Sequence, residues 1–261
     1  MYYYQFLGKF AYLIILFLGL SVGSFLNAWI WRTRENYRIT SGRSMCPVCH
    51  RQLRWYENIP VLSFMALRGK CLSCKNPIPL HYTLVEIGTA VLFVLLARHS
   101  LNHPTENYLY FLRNIIFLIF LIVVFVYDAL YEEVLSEVVL LGSLIGVFFN
   151  LYLDYSITSM LLGAVVISGF FLLQFAVSKG RWIGGGDVRL GVMMGLWLGW
   201  PISLAALFIA YISGAVISLL LLVFKKKTLK SATPFGTYLA MATLVCVVWG
   251  SRIVDWYMGL L

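Results

Sequence analysis

Charge is scarce in this sequence. Charged residues fill only 12% of its 261 positions, while hydrophobic residues fill 61%. A water-soluble domain carries roughly 25% charged and about 45–50% apolar residues. A soluble globule is therefore excluded, and so is a disordered chain, which needs low hydrophobicity. Cysteine is sparse too: five in all, four of them between positions 46 and 74. That excludes a disulfide-dense secreted module. There is no internal repeat, no low-complexity tract, no G-x-S-x-G or H-E-x-x-H hydrolase signature, and no Rossmann glycine fingerprint.

What the sequence has is long apolar runs. They lie at about 10–31, 82–97, 109–127, 134–153, 157–178, 190–224 and 235–250. Crossing a ~30 Å hydrocarbon layer takes about 20 helical residues. The 190–224 run is too long for one span, and Gly199-Trp200-Pro201 breaks it, because proline removes a backbone donor. This reading predicts an all-α polytopic membrane protein of about eight transmembrane helices, with a small cytoplasmic zinc-ribbon-like insert. The first run is long, lacks a basic start beyond Lys9 and has no small-residue cleavage site, so a cleaved signal peptide is not expected.

The net charge of +9 has a topological explanation. Nine Arg and Lys residues fall in 32–81, more at Lys179, Arg181 and Arg189, and four at Lys225, Lys226, Lys227 and Lys230. With eight spans all three groups share one side, which the positive-inside rule makes cytoplasmic, with both termini outside. The expected location is the cell membrane, with membrane lipid as surroundings and no nucleic-acid partner. The expected organisation is a first span at 1–31, a four-cysteine zinc-binding insert at 32–81 and a seven-span membrane domain at 82–261.

Cys46-Pro47-Val48-Cys49 and Cys71-Leu72-Ser73-Cys74 are two C-x-x-C knuckles about twenty residues apart. This is the spacing of a zinc ribbon, in which four thiolates close a tetrahedron and leave no position for substrate. A short insert with little core gains stability from such a staple. Four free thiols or two disulfides remain the alternative, the latter disfavoured in a reducing compartment. His50 and His81 read as exposed loop residues, and Cys246 as a small packing residue within a span.

Acids in or beside apolar runs are costly and therefore suspect. Asp128 closes the third run, Asp187 follows Gly184-Gly185-Gly186, and Glu86 and Glu137 lie near run ends. Glycines without a Cβ let irregular backbone, or a substrate strand, come close. Two carboxyls that meet share a proton: one takes a proton from water while the other polarises a peptide carbonyl. The alternative reading makes each Asp a solvated helix-end acid, with Asp187 as an N-cap. Glu86 reads as a polar contact at the cytoplasmic end of its span, and Glu132, Glu133 and Glu137 as interfacial.

These residues also follow, in order, the motifs of a known family. Gly23-Ser24-Phe25-Leu26-Asn27, Arg43-Ser44-Met45-Cys46-Pro47-Val48-Cys49, Trp55-Tyr56-Glu57-Asn58-Ile59-Pro60 and Leu67-Arg68-Gly69-Lys70-Cys71 are the first four. Tyr82-Thr83-Leu84-Val85-Glu86, Gly184-Gly185-Gly186-Asp187 and Pro234-Phe235-Gly236-Thr237-Tyr238 complete them. The chain resembles the type IV prepilin peptidases, or leader peptidase/N-methyltransferases, which are G-x-G-D intramembrane aspartyl proteases. The resemblance implies cleavage of the basic leader of type IV prepilins or pseudopilins at the cytoplasmic face. It also implies N-methylation of the new N-terminus with S-adenosylmethionine. Asp128 and Asp187 would be the catalytic pair, and Cys46, Cys49, Cys71 and Cys74 would hold structural Zn2+. The family's Ile-Pro-Asp stretch after the first Asp is replaced here by Val134-Leu135-Ser136. The cofactor-binding residues are not assigned by any motif. A non-enzymatic zinc-ribbon scaffold is the alternative function, and it leaves the glycine run before Asp187 unexplained. Glu35, Glu57, Glu132 and Glu133 are candidates to meet a basic leader.

Overall fold

The computed structural model describes residues 2–39, 42–102, 108–224 and 233–260, with 2–9 and 101–102 as backbone only. The basic group at 225–230 lies outside the described residues. Among those described, the chain is helical apart from two isolated bridges, Met45–Gln52 and Lys70–Pro77. The helices are α1 (Tyr2–Arg34), α2 (Leu62–Ala66), α3 (Leu80–Asn102), α4 (Tyr108–Tyr131), α5 (Ser136–Tyr152), α6 (Ile157–Ser178), α7 (Gly185–Leu198), α8 (Ile202–Val223) and α9 (Phe235–Met258). A 3₁₀ turn covers Trp55–Asn58.

Six of these helices, α1, α3, α4, α6, α8 and α9, are long and apolar enough to cross a membrane. With the 17-residue α5 and the 14-residue α7 they account for the eight apolar segments expected, and the chain is a multi-pass membrane protein. The break after Leu198 falls where predicted. Gly199 stands at φ +70°, a conformation that a side chain disfavours, and Pro201 precedes α8.

Two compact units divide the chain, Met1–Thr105 and Glu106–Leu261. In the first, α1 lies along α3, so α3 belongs with the cysteine insert and α1. Gly19 and Gly23 permit the approach: a Cβ on either would fall 2.6 Å from Ala90 Cα or 2.8 Å from Glu86 Cα. Between apolar spans that close backbone packing is the main attraction, since lipid offers no hydrophobic gain for association.

In the second unit α7 is the central element, set against α5, α6 and α9. Small residues again make the seams. Gly195 meets the backbone of Gly163 and Ala164 on α6, and Gly146 on α5 receives the fully buried Trp197 ring. Trp197 stacks on Phe117 of α4 at 4.1 Å and donates to the Gly142 carbonyl at 2.8 Å.

Fourteen residues give α7 only about 21 Å of length, short of the ~30 Å core. Its last carbonyls therefore need partners from the protein. Asn150 Nδ2 donates to Leu196 O at 2.7 Å, and Arg113 donates to Trp197 O. Arg113 also donates to Asn150 Oδ1 at 2.6 Å and lies over the Tyr155 and Trp197 rings. Both polar residues sit within apolar runs and are buried. Replacing Asn150 with leucine leaves the Leu196 carbonyl without its donor, a cost of about 1–3 kcal/mol. The expected result is a lower thermal denaturation midpoint in detergent, followed by circular dichroism.

Candidate active site and cysteine centre

Asp128 lies one turn before the end of α4, and Asp187 lies in the first turn of α7. Both are buried, at 4% and 9% exposure. Asp128 Oδ2 and Val134 both adjoin Gly236, and Val134 also adjoins Gly186, the residue before Asp187. Thus two buried acids 59 positions apart face one region of the second unit.

Each carboxylate is held by the N-terminus of a helix. Asp187 Oδ2 accepts the Gly184 N–H at 3.3 Å, while its own N–H donates to Gly184 O at 3.2 Å. The reading of Asp187 as a solvated N-cap is corrected: Gly184 is the N-cap, and Asp187, the third residue of α7, is buried and reaches back to the Gly184 N–H. Asp128 Oδ2 accepts the Thr237 N–H of α9 at 2.7 Å, so α4 supplies the cap of a helix more than a hundred residues on. Unpaired N–H groups and the helix dipole favour an anion at both places.

Val134 wedges between these two helix starts. A Cβ on Gly186 would lie 2.8 Å from Val134 Cβ, and one on Gly236 would lie 3.2 Å from Val134 Cγ2 and 3.0 Å from Asp128 Oδ2. This is the role of the first residue in the stretch that departs from the family pattern. Ser136, the third, accepts a hydrogen bond from Arg189. The glycine run divides accordingly: Gly186 is required by packing, whereas Gly185 faces open space and Gly184 nearly so. Tyr211 of α8 also feels the Asp187 charge; its hydroxyl accepts from Gln174 Nε2 at 2.9 Å and its ring packs on Phe235. Sequence reasoning passed over Gln174 and Tyr211, and met Thr237 only as part of a motif. Gln174 carried a usable signal, a polar side chain inside an apolar span. Glu132, Glu133 and Glu137 are exposed, as expected of interfacial acids.

The four insert cysteines converge, their Sγ atoms all within 4.8 Å of one another. A tetrahedron with metal–sulfur bonds of about 2.3 Å has edges of about 3.8 Å, and Cys46 Sγ lies 3.9 Å from Cys74 Sγ. That separation is far beyond a disulfide, and all four are free thiols. The two knuckles share one plan. Cys46 N–H donates to Arg51 O and His50 N–H to Cys46 O; Cys71 N–H donates to Asn76 O and Lys75 N–H to Cys71 O. His50 and Lys75 both take positive φ to close the turn. The Cys74 N–H, working against burial, draws the Cys71 thiol down. The residues fit a tetrathiolate metal site. His50 is exposed and outside the cluster, and His81 packs on Tyr82.

Glu57 is a correction to the sequence reading. It is buried, its Oε1 accepting from Arg51 at 2.5 Å and its Oε2 from the Arg54 N–H at 2.7 Å. The Arg51 guanidinium holds its carboxyl below the usual carboxylate range. It is committed to the insert and not available to a basic leader.

Known families match both units. The Bacterial Peptidase A24 N-terminal domain matches residues 17–100, and the Type IV leader peptidase family matches residues 115–219. A prepilin leader peptidase/N-methyltransferase of Pseudomonas aeruginosa is 30% identical over 94% of this chain and 93% of its own length. The chain belongs to the type IV leader peptidase family. A Legionella pneumophila protein of the same name is 29% identical over 96% of this chain and 95% of its own length. One from Myxococcus xanthus is 35% identical over 78% of this chain and 61% of its own length. No solved structure matches. The match at 115–219 contains both buried aspartates, while α9, whose N-terminus Asp128 caps, follows it.

The glycine geometry gives a test. Gly186→Ala should cost about 1–3 kcal/mol through the clash with Val134. Gly185→Ala should leave the denaturation midpoint in detergent unchanged. Equal midpoints for the two variants would contradict the packing described.

Proposed function

We propose that this chain removes the leader from type IV prepilins or pseudopilins by aspartyl hydrolysis and then methylates the exposed N-terminal amine. Asp128 and Asp187 are the catalytic pair in this reading. The observation that carries it is that these two buried acids, each bound to a helix N-terminus, flank Val134 in a chain of this family. A scaffold has no use for two carboxyls buried in one region of the fold.

The chemistry follows from one proton held between two carboxyls. The ionised member takes a proton from water, and the resulting oxygen nucleophile adds to the scissile carbonyl. The protonated member donates to the carbonyl oxygen, and the tetrahedral adduct collapses as the amine leaves with a proton. The Thr237 and Gly184 N–H groups fix the carboxylate rotamers throughout. Open space beside Gly185 lets an unwound substrate strand approach Asp187. A basic leader followed by an apolar helix places the scissile bond at the membrane interface, on the face where the basic residues gather, which we assign as cytoplasmic.

Cys46, Cys49, Cys71 and Cys74 would hold Zn2+ in a closed structural site that staples the insert. When bound, S-adenosylmethionine would supply an activated methyl group for the new N-terminal amine.

In purified, folded protein, Asp128→Asn and Asp187→Asn should each lower leader cleavage by about 10³-fold or more, on the order of the loss seen when one member of a catalytic unit is removed. Mass spectrometry of a prepilin reads this directly, and near-normal cleavage by either variant would remove that residue from the chemistry. The wild-type pH–rate profile should be bell-shaped, because both full protonation and full ionisation disable the pair. Metal analysis should find about one zinc per chain, lost in Cys46→Ser.

A further inference from the structure

Two polar side chains of the second unit, Gln174 of α6 and Tyr211 of α8, lie inside apolar spans and take no part in the chemistry above. They bond to each other: Gln174 Nε2 donates to the Tyr211 hydroxyl at 2.9 Å, and that hydroxyl faces Gln174 Oε1 at 3.2 Å. Packing places the pair level with both acids. Gly195 of α7 meets Gly163 and Ala164 of α6, and a Cβ on Gly191 would fall 2.9 Å from the Phe171 ring, so the two helices run antiparallel. One turn further along each helix, Gln174 stands level with Asp187. On the other side the Tyr211 ring packs on Phe235 at 5.0 Å, and the next residue, Gly236, adjoins Asp128 Oδ2. A bond that serves only to tie two spans together is shielded in their seam. This one is half-buried, and beside it Leu173 of α6 and Ile212 of α8 are 64% and 63% exposed. The pair is therefore reachable from the apolar outer surface of the unit.

A helical substrate must unwind to be cut, since a helix holds each carbonyl in a bond to the N–H four residues on. Unwinding frees N–H and C=O groups, and at membrane depth the protein has to supply their partners. The Gln174 side-chain amide carries an acceptor and donors, the same groups that a peptide bond offers. We propose that Gln174 and Tyr211 form a backbone-receiving subsite of the protease. An unwound residue beside the scissile bond donates its N–H to Gln174 Oε1, and its carbonyl accepts from the Tyr211 hydroxyl. The bonds between Gln174 and Tyr211 are thus exchanged for bonds to substrate. Every residue offers these backbone groups, so the subsite positions the strand without reading its side chains. The inference rests on the aspartyl protease reading above.

The test uses the full-length protein in detergent and a set of prepilin peptides. In each, one peptide N–H within about three residues of the scissile bond is replaced by an ester oxygen, while the scissile amide is kept. In the wild type one such ester should lower kcat/KM by about fivefold or more, the scale of one hydrogen bond. Gln174→Met keeps the side-chain length without the amide. It should lose a similar factor on the all-amide peptide, and that ester should then cost it nothing more. A purely structural role would lower all peptides alike, so ester costs equal in wild type and variant at every position overturn the proposal. Tyr211→Phe, which keeps the ring against Phe235, repeats the cycle where Gln174→Met fails to fold, and it should cancel the cost of the ester whose weakened carbonyl faces the hydroxyl. A further readout needs no variant. A peptide with a photoreactive diazirine beside the scissile bond should label 170–177 or 208–215 of the wild type, and label absent from both overturns the subsite. Wild-type protein that leaves the all-amide peptide uncut overturns the protease reading itself, and this subsite with it.

Discussion

A helix that ends within a membrane protein leaves backbone N–H and C=O groups where water cannot reach them, and the protein must supply every partner. The short α7 faces that requirement at its C-terminus, and its N-terminus, beside open space at Gly185, also takes its partner from the protein. Its C-terminal carbonyls are met by Asn150 and Arg113, and its N-terminus by its own Asp187. The N-terminus of α9 has the same need, and Asp128 answers it from another helix. The two acids are thus where they are for a structural reason before any chemistry begins. Capping also orients them, because a carboxylate bound to a fixed N–H has little rotational freedom left. One polar arrangement thereby serves stability and places two acids together.

Close backbone packing makes this possible. Gly195 against Gly163 and Ala164, and Gly146 against Trp197, let α7 sit deep enough for both ends to find partners. Val134 fills the space left by Gly186 and Gly236, so a side chain at either glycine would disturb the helix starts that hold the acids. In the first unit the same device, Gly19 and Gly23 of α1 set against α3, joins two spans whose ends frame the cysteine insert. There the core is small, and four sulfurs at metal-ligand spacing take over part of its work.

Much of this was legible in the sequence. The apolar runs give the helices, Gly199-Trp200-Pro201 gives the break, and the spacing of Cys46, Cys49, Cys71 and Cys74 gives their convergence. Asp128 and Asp187 stood out because an acid is expensive in an apolar run. Neutral and cationic partners were less visible. Arg113, Asn150 and Gln174 lie inside runs whose mean character hides them, although the cost argument applied to acids applies to them equally. The pairing of Asp128 with the Thr237 N–H could not be read at all, since it joins a side chain to backbone 109 positions away. Glu57 was misread because its charge suggested a solvent role, while Arg51, six residues earlier, had already claimed it.

The central claim is that Asp128 and Asp187 act on one scissile bond. It is tested most directly by an experimental structure of the chain with a prepilin peptide whose scissile amide is replaced by a hydroxyethylene group, a mimic of the tetrahedral adduct. The account predicts the hydroxyl within about 3 Å of a carboxylate oxygen from each aspartate. A hydroxyl bound elsewhere, or contacted by only one of the two, would contradict it.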